Sequence, residues 1–416
     1  MINDVIEPAL PHMTWLEGTL NTPAGFKAFA AEADIVPGRP DMALIWSVKP
    51  AVVSGLFTTN QVQAWPVLLT RKTVHHGLCQ AIVVNAGNAN AASGPQGEKD
   101  AAWIQEKIAR GLSVPPLFVA VASTGVIGVS LPMDKVSVGI DKLLADWKRH
   151  SPDDAKGASE AILTTDQVPK VLAAEIDLPE GRVRLGIMAK GSGMIHPNMA
   201  TMLAFIGTDL SAPRAVLKAA LDEAIRSTFN AISVDGDTST NDAVVLIATG
   251  KSGVRIDRNE GPAFARFVAV LETVCAELAH AIVRDGEGAT KFVRVDVSGG
   301  RSREECQVVA NTIAQSPLVK TALFASDPNW GRILMAVGRS PIALDDPNRV
   351  TVTLNGLRVF TNGAVDPAYR EEQGQKALAA LDIVIGVDLG QGSEKATVFT
   401  CDLSYDYVRI NGSYRT

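Results

Sequence analysis

This chain has few cysteines, and none of them stand in the close pairs typical of a zinc site. Cys79, Cys275, Cys306 and Cys401 are scattered over 416 residues with no CxxC spacing. That excludes a zinc-finger pattern and gives no disulfide framework, so free thiols in a reducing compartment are expected. The six histidines form no cluster; His75 and His76 are adjacent and would point apart on a regular strand, so no metal is expected. Nowhere does an apolar run approach the roughly 20 residues of a membrane span. Basic blocks are missing, and a net charge of −6 argues against a nucleic-acid partner. The first residues, Met1-Ile-Asn-Asp-Val-Ile-Glu7, hold acids and no base. Neither a secretory signal nor a transit peptide is expected there, and the cytoplasm is the expected location.

What is present is an ordinary globular composition, 46% hydrophobic and 20% charged, in a chain long enough for two lobes. Short apolar runs at Gln80–Val84, Leu117–Ala122 and Ala243–Ala248 predict buried strands. Val183, Leu185 and Ile187 alternate within the stretch 172–190, which predicts a strand running up to Lys190. Ser211-Ala-Pro213 reads as a helix start leading to about Thr228, and a second amphipathic helix runs from Pro262 to about Val283. Tyr407-Val-Arg-Ile410 reads as strand. Helices packed on sheets, α/β or α+β, follow from this mixture. Gly-Glu-Gly-Ala-Thr-Lys291 lacks the spacing of a phosphate loop, and the acidic run Asp235-Gly-Asp237…Asp242 lacks the closing glutamate of a calcium loop. The acidic run is read as turn and hydrogen-bond chemistry near a site.

The most informative stretch is Lys190-Gly-Ser-Gly-Met-Ile-His-Pro-Asn-Met-Ala-Thr-Met-Leu203. Two glycines and a proline precede Thr201, and the chain then enters the apolar Met202–Ile206. Flexible, turn-forming backbone thus delivers a hydroxyl residue to the head of a buried strand. A bland reading exists: a glycine-rich loop entering a strand, with Thr201 an ordinary β-branched residue.

The run KGSGMxxPxMATML closely resembles the self-cleavage site of the ornithine acetyltransferase family, the glutamate N-acetyltransferases of arginine biosynthesis. Further segments resemble the same family in order along the chain: Phe57–Asn60, Asn85–Ala91, Ser123–Gly128, Ser233–Asp242, Arg284–Lys291, Pro328–Arg332 and Asn411–Thr416. The resemblance implies cleavage between Ala200 and Thr201, giving a first fragment 1–200 and a second 201–416. It makes Thr201 the nucleophile, and Thr124 and Gly125 the oxyanion hole. Thr164, Lys190, Thr201, Glu287, Asn411 and Thr416 become substrate contacts, with Lys190 on the carboxylate side and Glu287 near the amino group. It implies an αββα-like sandwich of two intertwined fragments, paired again as an α2β2 assembly. The substrates are N2-acetylornithine and glutamate; no cofactor is implied, although some members accept acetyl-CoA as donor. Ala92-Ser93 and Ala325-Ser326 depart from the family's pattern, the latter standing before Asp327 where a glycine is common, which affects a local turn. His196 is read as structural, and Trp330 and Arg332 as either pocket or interface residues.

The chemistry is coherent. A threonine hydroxyl needs a base to take its proton, and the α-amine freed by cleavage, with an ordinary pKa of about 8, sits on the same residue. Two other readings stay open on sequence alone: an N-terminal-nucleophile amidase or aminopeptidase, and an uncleaved homologue that only binds amino acids.

Overall fold

In a computed structural model, residues 10–196 and 202–413 are described. Nine strands form the first sheet: β1 (Met13–Leu16), β2 (Phe26–Ala31), β3 (Met42–Phe57), β4 (Leu78–Asn85), β5 (Val119–Ser123), β6 (Lys170–Leu178), β7 (Gly181–Lys190), β8 (Leu203–Thr208) and β9 (Ala243–Ala248). Their order is β1-β6-β7-β8-β9-β3-β4-β5, with β2 also paired to β3. Its helices are α1 (Trp65–His76), α2 (Gly94–Leu112), α3 (Met133–Lys148), α4 (Ala155–Ala161), α5 (Arg214–Arg226) and α6 (Pro262–Arg284).

One long strand turns this sheet into a sandwich. The first half of β3 pairs with β2 and β4, and its second half, Val52–Phe57, pairs with β9. Between the halves lie exposed Val48, Lys49 and Pro50, and Pro50 has no N–H to give a ladder. The sheet therefore bends there and its two halves face each other. Alternation of side chains along each strand sorts the core accordingly. Ala43 and Ile45 of β3, Phe205 of β8 and Val245 of β9 share the inner layer. Leu44 and Val83 face α2 and α3 on one outer side, while Ile206 and Leu246 face α5 and α6 on the other. Contact between the halves is close: a Cβ on Gly207 would stand 2.9 Å from the Phe26 ring, and one on Gly186 only 2.2 Å from the Thr19 carbonyl oxygen. Helix, sheet, sheet and helix are thus stacked in the αββα manner. Strands from either side of position 200 alternate in it, β8 and β9 lying between β7 and β3.

A second sheet holds β10 (Phe292–Gly300), β11 (Thr351–Leu354), β12 (Leu357–Thr361), β13 (Ala364–Val365), β14 (Asp382–Asp388) and β15 (Glu394–Cys401), in the order β13-β12-β11-β14-β10-β15. Helices α7 (Arg303–Ala314), α8 (Pro317–Phe324), α9 (Trp330–Gly338) and α10 (Glu371–Leu378) belong to this lobe, which has its own core. Phe292 and Phe399 stack on each other and meet His280 of α6 edge-on and tilted, joining the lobes. The last helix, α11 (Tyr405–Ser413), returns to the first lobe.

Three local expectations are corrected. Tyr407–Ile410 is part of helix α11, where Asp406 and Arg409 pair one turn apart at 3.1 Å. Ser211 does not cap α5, because its backbone is engaged with Val254 and Ile256, at 2.9 and 3.0 Å; the helix starts at Arg214. The stretch 172–190 is a hairpin of two strands, β6 and β7. At the departure from the family's glycine, Ser326 carries φ +52°, a left-handed turn that suits glycine, and its hydroxyl accepts from buried Lys291 at 2.7 Å. All four cysteines are buried and free. No helix among the described residues is long and apolar enough to cross a membrane.

Candidate active site

The residues singled out from sequence are brought to one cleft of about 150 Å3, lined by Thr124, Gly125, Thr164, Lys190, Glu287 and Asn411 together with Asp235 and Tyr407. Ala200, Thr201 and Thr416 lie outside the described residues. The chain leaves β7 at Lys190, directly opposite Leu203 where it enters β8, and Met202 is buried at that strand's head. The cleft therefore sits where the stretch 190–203 begins and ends.

Each wall follows from local folding. β5 is an edge strand, and α1 supplies the neighbour it lacks: Thr70 Oγ1 donates to the Val121 carbonyl at 2.6 Å and accepts the Val121 N–H at 2.7 Å. Past the end of β5, the Thr124 N–H donates to Asn85 O at 3.0 Å. Asn241 Nδ2 donates to Ser123 O at 2.8 Å and Ala89 O at 2.6 Å, so three chain segments fix the turn that carries Thr124 and Gly125. Gly125 has φ +131°, and a Cβ there would lie 2.4 Å from the Gly87 carbonyl carbon. Only glycine fits.

Lys190 is 4% exposed. Its Nζ donates to Thr164 Oγ1 at 2.8 Å and Thr124 Oγ1 at 3.3 Å, with Asp166 Oδ2 at 3.7 Å. Burial pulls the Lys190 pKa down, and Asp166 partly restores it. Burial would raise the Asp166 carboxyl, but Lys190 and Lys170 outweigh it and hold that group well below the usual range. Across the cleft, Glu287 Oε2 accepts from Asn411 Nδ2 at 2.7 Å, which ties α11 to the site. Gly193 leaves the space Glu287 needs, since a Cβ there would meet its Cδ at 2.4 Å.

Sequence reasoning gave no role to Lys170, Asp285 or Tyr407, and only a general one to Asp235. Asp235 holds the start of the motif: its two oxygens accept from Met194 N at 2.6 Å and Ile195 N at 2.9 Å. Burial pushes its pKa up to about 6 and also raises that of Tyr407, beside it. The folded protein therefore binds a proton on Asp235 at pH values where the unfolded chain, near 3.9, does not. That contribution to stability is present below about pH 3.9 and lost as pH rises through about 6. Asp235→Asn lacks it, so the melting temperature of the wild type minus that of the variant should fall between pH 5 and pH 7. At 1.36 kcal/mol per unit the whole shift corresponds to about 3 kcal/mol, of which roughly 1.3 kcal/mol falls between pH 5 and pH 7, and a difference independent of pH would refute the assignment.

His196 is not in the cleft lining; its Nδ1 accepts from Gln315 Nε2 at 2.9 Å and burial lowers its pKa, consistent with a neutral structural imidazole. Trp330 stacks on Phe360 in the second lobe, and Arg332 donates to Leu318 O at 2.8 Å, so neither shapes the cleft. Among the described residues, no three His, Cys, Asp or Glu side chains converge as a metal site.

The sequence profile of the ArgJ family matches residues 27–416. The arginine biosynthesis bifunctional protein ArgJ of Symbiobacterium thermophilum is 46% identical over 408 residues, 97% of this chain and all of that protein. The chain belongs to the ArgJ family. It is accordingly an acyltransferase of arginine biosynthesis. The ArgJ of Bacillus anthracis is 43% identical over 96% of this chain and 97% of its own length. A crystal structure of the ArgJ of Bacillus halodurans, 39% identical, covers 51% of this chain and all of that one, with a TM-score of 0.49.

Proposed function

We propose that this ArgJ protein cleaves itself between Ala200 and Thr201 and then transfers acetyl from N2-acetylornithine to glutamate through an acetyl-Thr201 ester. The observation that carries the proposal is the meeting of Thr124, Gly125, Thr164, Lys190, Glu287 and Asn411 around one cleft, at the strand ends that the motif joins. In maturation, Thr201 Oγ attacks the Ala200 carbonyl, the peptide becomes an ester, and water hydrolyses it to leave a carboxylate on Ala200 and a free amine on Thr201.

That amine then takes the hydroxyl proton as Oγ attacks the acetyl carbonyl. The oxyanion is met by the Thr124 hydroxyl and the Gly125 N–H. Lys190 already donates to the Thr124 oxygen, which leaves that hydroxyl's own proton available to donate. The ornithine nitrogen departs with a proton from the Thr201 ammonium. Glutamate's amine attacks the ester, and N-acetylglutamate leaves as Oγ regains its proton. Lys190 holds the substrate carboxylate and Glu287, steadied by Asn411, its amino group, with Thr164 and Thr416 completing the contacts. A site built from buried residues keeps water from the ester until the acceptor arrives.

No cofactor takes part, though acetyl-CoA is a reasonable second donor. The fragments stay interleaved in one sheet and pair as α2β2 in the cytoplasm. The test is acetyl transfer followed by mass spectrometry with and without glutamate. Acetylglutamate formed only with both substrates supports the reading, whereas steady acetate release without glutamate would identify a hydrolase instead.

A further inference from the structure

Behind Lys190 lies a buried array of charges that touches no open part of the cleft. Lys170 Nζ is fully buried and lies 2.7 Å from Asp166 Oδ1 and 2.5 Å from Asp285 Oδ2. Asp166 Oδ1 also accepts the Gly191 N–H at 2.6 Å, and Oδ2 accepts the Thr164 N–H at 3.2 Å. Asp285 Oδ2 accepts the Gln167 N–H at 3.0 Å, while the Asp285 carbonyl accepts from Ser192 Oγ at 2.6 Å. Through Ser192 O, which accepts the Glu287 N–H at 3.0 Å, the array reaches the opposite wall of the site.

The distances around Asp166 are unequal in a telling way. A buried carboxylate beside a buried ammonium is expected to form a direct, charge-assisted hydrogen bond. Asp166 makes that bond with Lys170, at 2.7 Å, and stands off Lys190 at 3.7 Å. With Lys170 absent, only the Gly191 and Thr164 N–H groups would still hold the carboxylate; no second cation would compete for it, and Asp166 would close on Lys190 and cancel its charge. Lys190 would then have little attraction left for a ligand.

We infer that Lys170 is a positioning residue for substrate recognition: by engaging Asp166, it keeps the Lys190 ammonium free to bind the carboxylate of an amino-acid substrate. The inference rests on the proposed role of Lys190 in holding that carboxylate. It assigns Lys170 no contact with substrate; its whole effect passes through Asp166. Asp285 anchors Lys170 from the other side, so the array carries two charges of each sign and is neutral as a set.

The test compares binding of ornithine with that of 1,4-diaminobutane, the same diamine without the carboxylate, by calorimetry on the full-length purified protein. Lys170→Met keeps length and removes charge; it should reduce the preference for ornithine about tenfold or more while changing diaminobutane binding little. Lys170→Met combined with Asp166→Asn removes the competing carboxylate as well and should bring the preference back to within about threefold of wild type. Lys170→Arg should keep it. A residue that merely held the fold together would give additive losses for the pair and would weaken both ligands alike. The charge-balanced double variant covers the case in which Lys170→Met fails to fold: a lost preference in the folded double variant overturns the inference. So does unchanged preference in folded Lys170→Met. Wild type that binds neither ligand overturns the functional reading, and this inference with it; wild type that favours ornithine confines any failure to Lys170.

Discussion

Thr201→Ala should leave a single chain of 44.0 kDa, where the proposed self-cleavage should give the wild type as fragments 1–200 and 201–416. The reason is chemical. Alanine has no oxygen to attack the preceding carbonyl, so the N-to-O acyl shift cannot begin and no free α-amine appears. Acetyl transfer should then fall by at least about three orders of magnitude, because nucleophile and base vanish together and groups acting as a unit are lost as a unit. Thr201→Ser separates the two requirements. It keeps the hydroxyl, should still cleave, and should retain measurable transfer. Intact mass spectrometry reads cleavage and the glutamate-dependent assay reads transfer. A wild-type chain that stays whole, or a Thr201→Ala variant that still splits at the same bond, would remove the mechanism. Fold integrity is checked by ornithine binding, since Lys190 and Glu287 come from other parts of the chain and remain in place.

The parts of the site that could be read from sequence are those in which a motif sits on a predictable element. Thr124 and Gly125 follow an apolar strand that ends at Ser123, and loops at strand ends commonly carry function. Lys190 ends an alternating strand, β7. What stayed hidden depends on long-range meetings. Nothing about Lys170 in the sequence distinguishes it from a solvated surface charge, the usual fate of such residues, and Asp285 stands out only as a member of the segment Arg284–Lys291. They lie 115 positions apart and become a buried pair only because β6 and the end of α6 come together. α11 misled for a different reason. Tyr-Val-Arg-Ile has strand propensity, but such propensity expresses packing on a pleated surface, and here the segment instead packs against Gly288, where a Cβ would meet the Tyr407 nitrogen at 2.4 Å. The sandwich itself was expected only by resemblance. Its physical origin, the bend of β3 at Val48-Lys49-Pro50, is visible in the sequence as a proline inside an apolar run, yet the pattern of pairing is needed to see that one sheet folds into two layers.

Gly125→Ala should be the most damaging substitution that leaves every polar side chain of the cleft intact. Two effects act together. At φ +131°, an L residue is strained by roughly 1–3 kcal/mol. The new methyl would also stand 2.4 Å from the Gly87 carbonyl carbon and 2.6 Å from Asn88 N, both backbone atoms that no rotamer change can move. The turn at 124–126 must therefore shift, and with it the Gly125 N–H that the mechanism aims at the oxyanion. One misplaced donor costs about 10^2–10^3 in kcat, so kcat should drop by that factor while KM changes little, because the proposed carboxylate and amine contacts, Lys190 and Glu287, are on other segments. Gly128→Ala is the control. It too has positive φ, +77°, but no atom lies within 4 Å of its would-be Cβ. It should lose stability by about 1 kcal/mol and keep kcat. If the two variants lose kcat equally, the effect belongs to general loosening of this loop; if only Gly125→Ala does, the rate depends on where that N–H points.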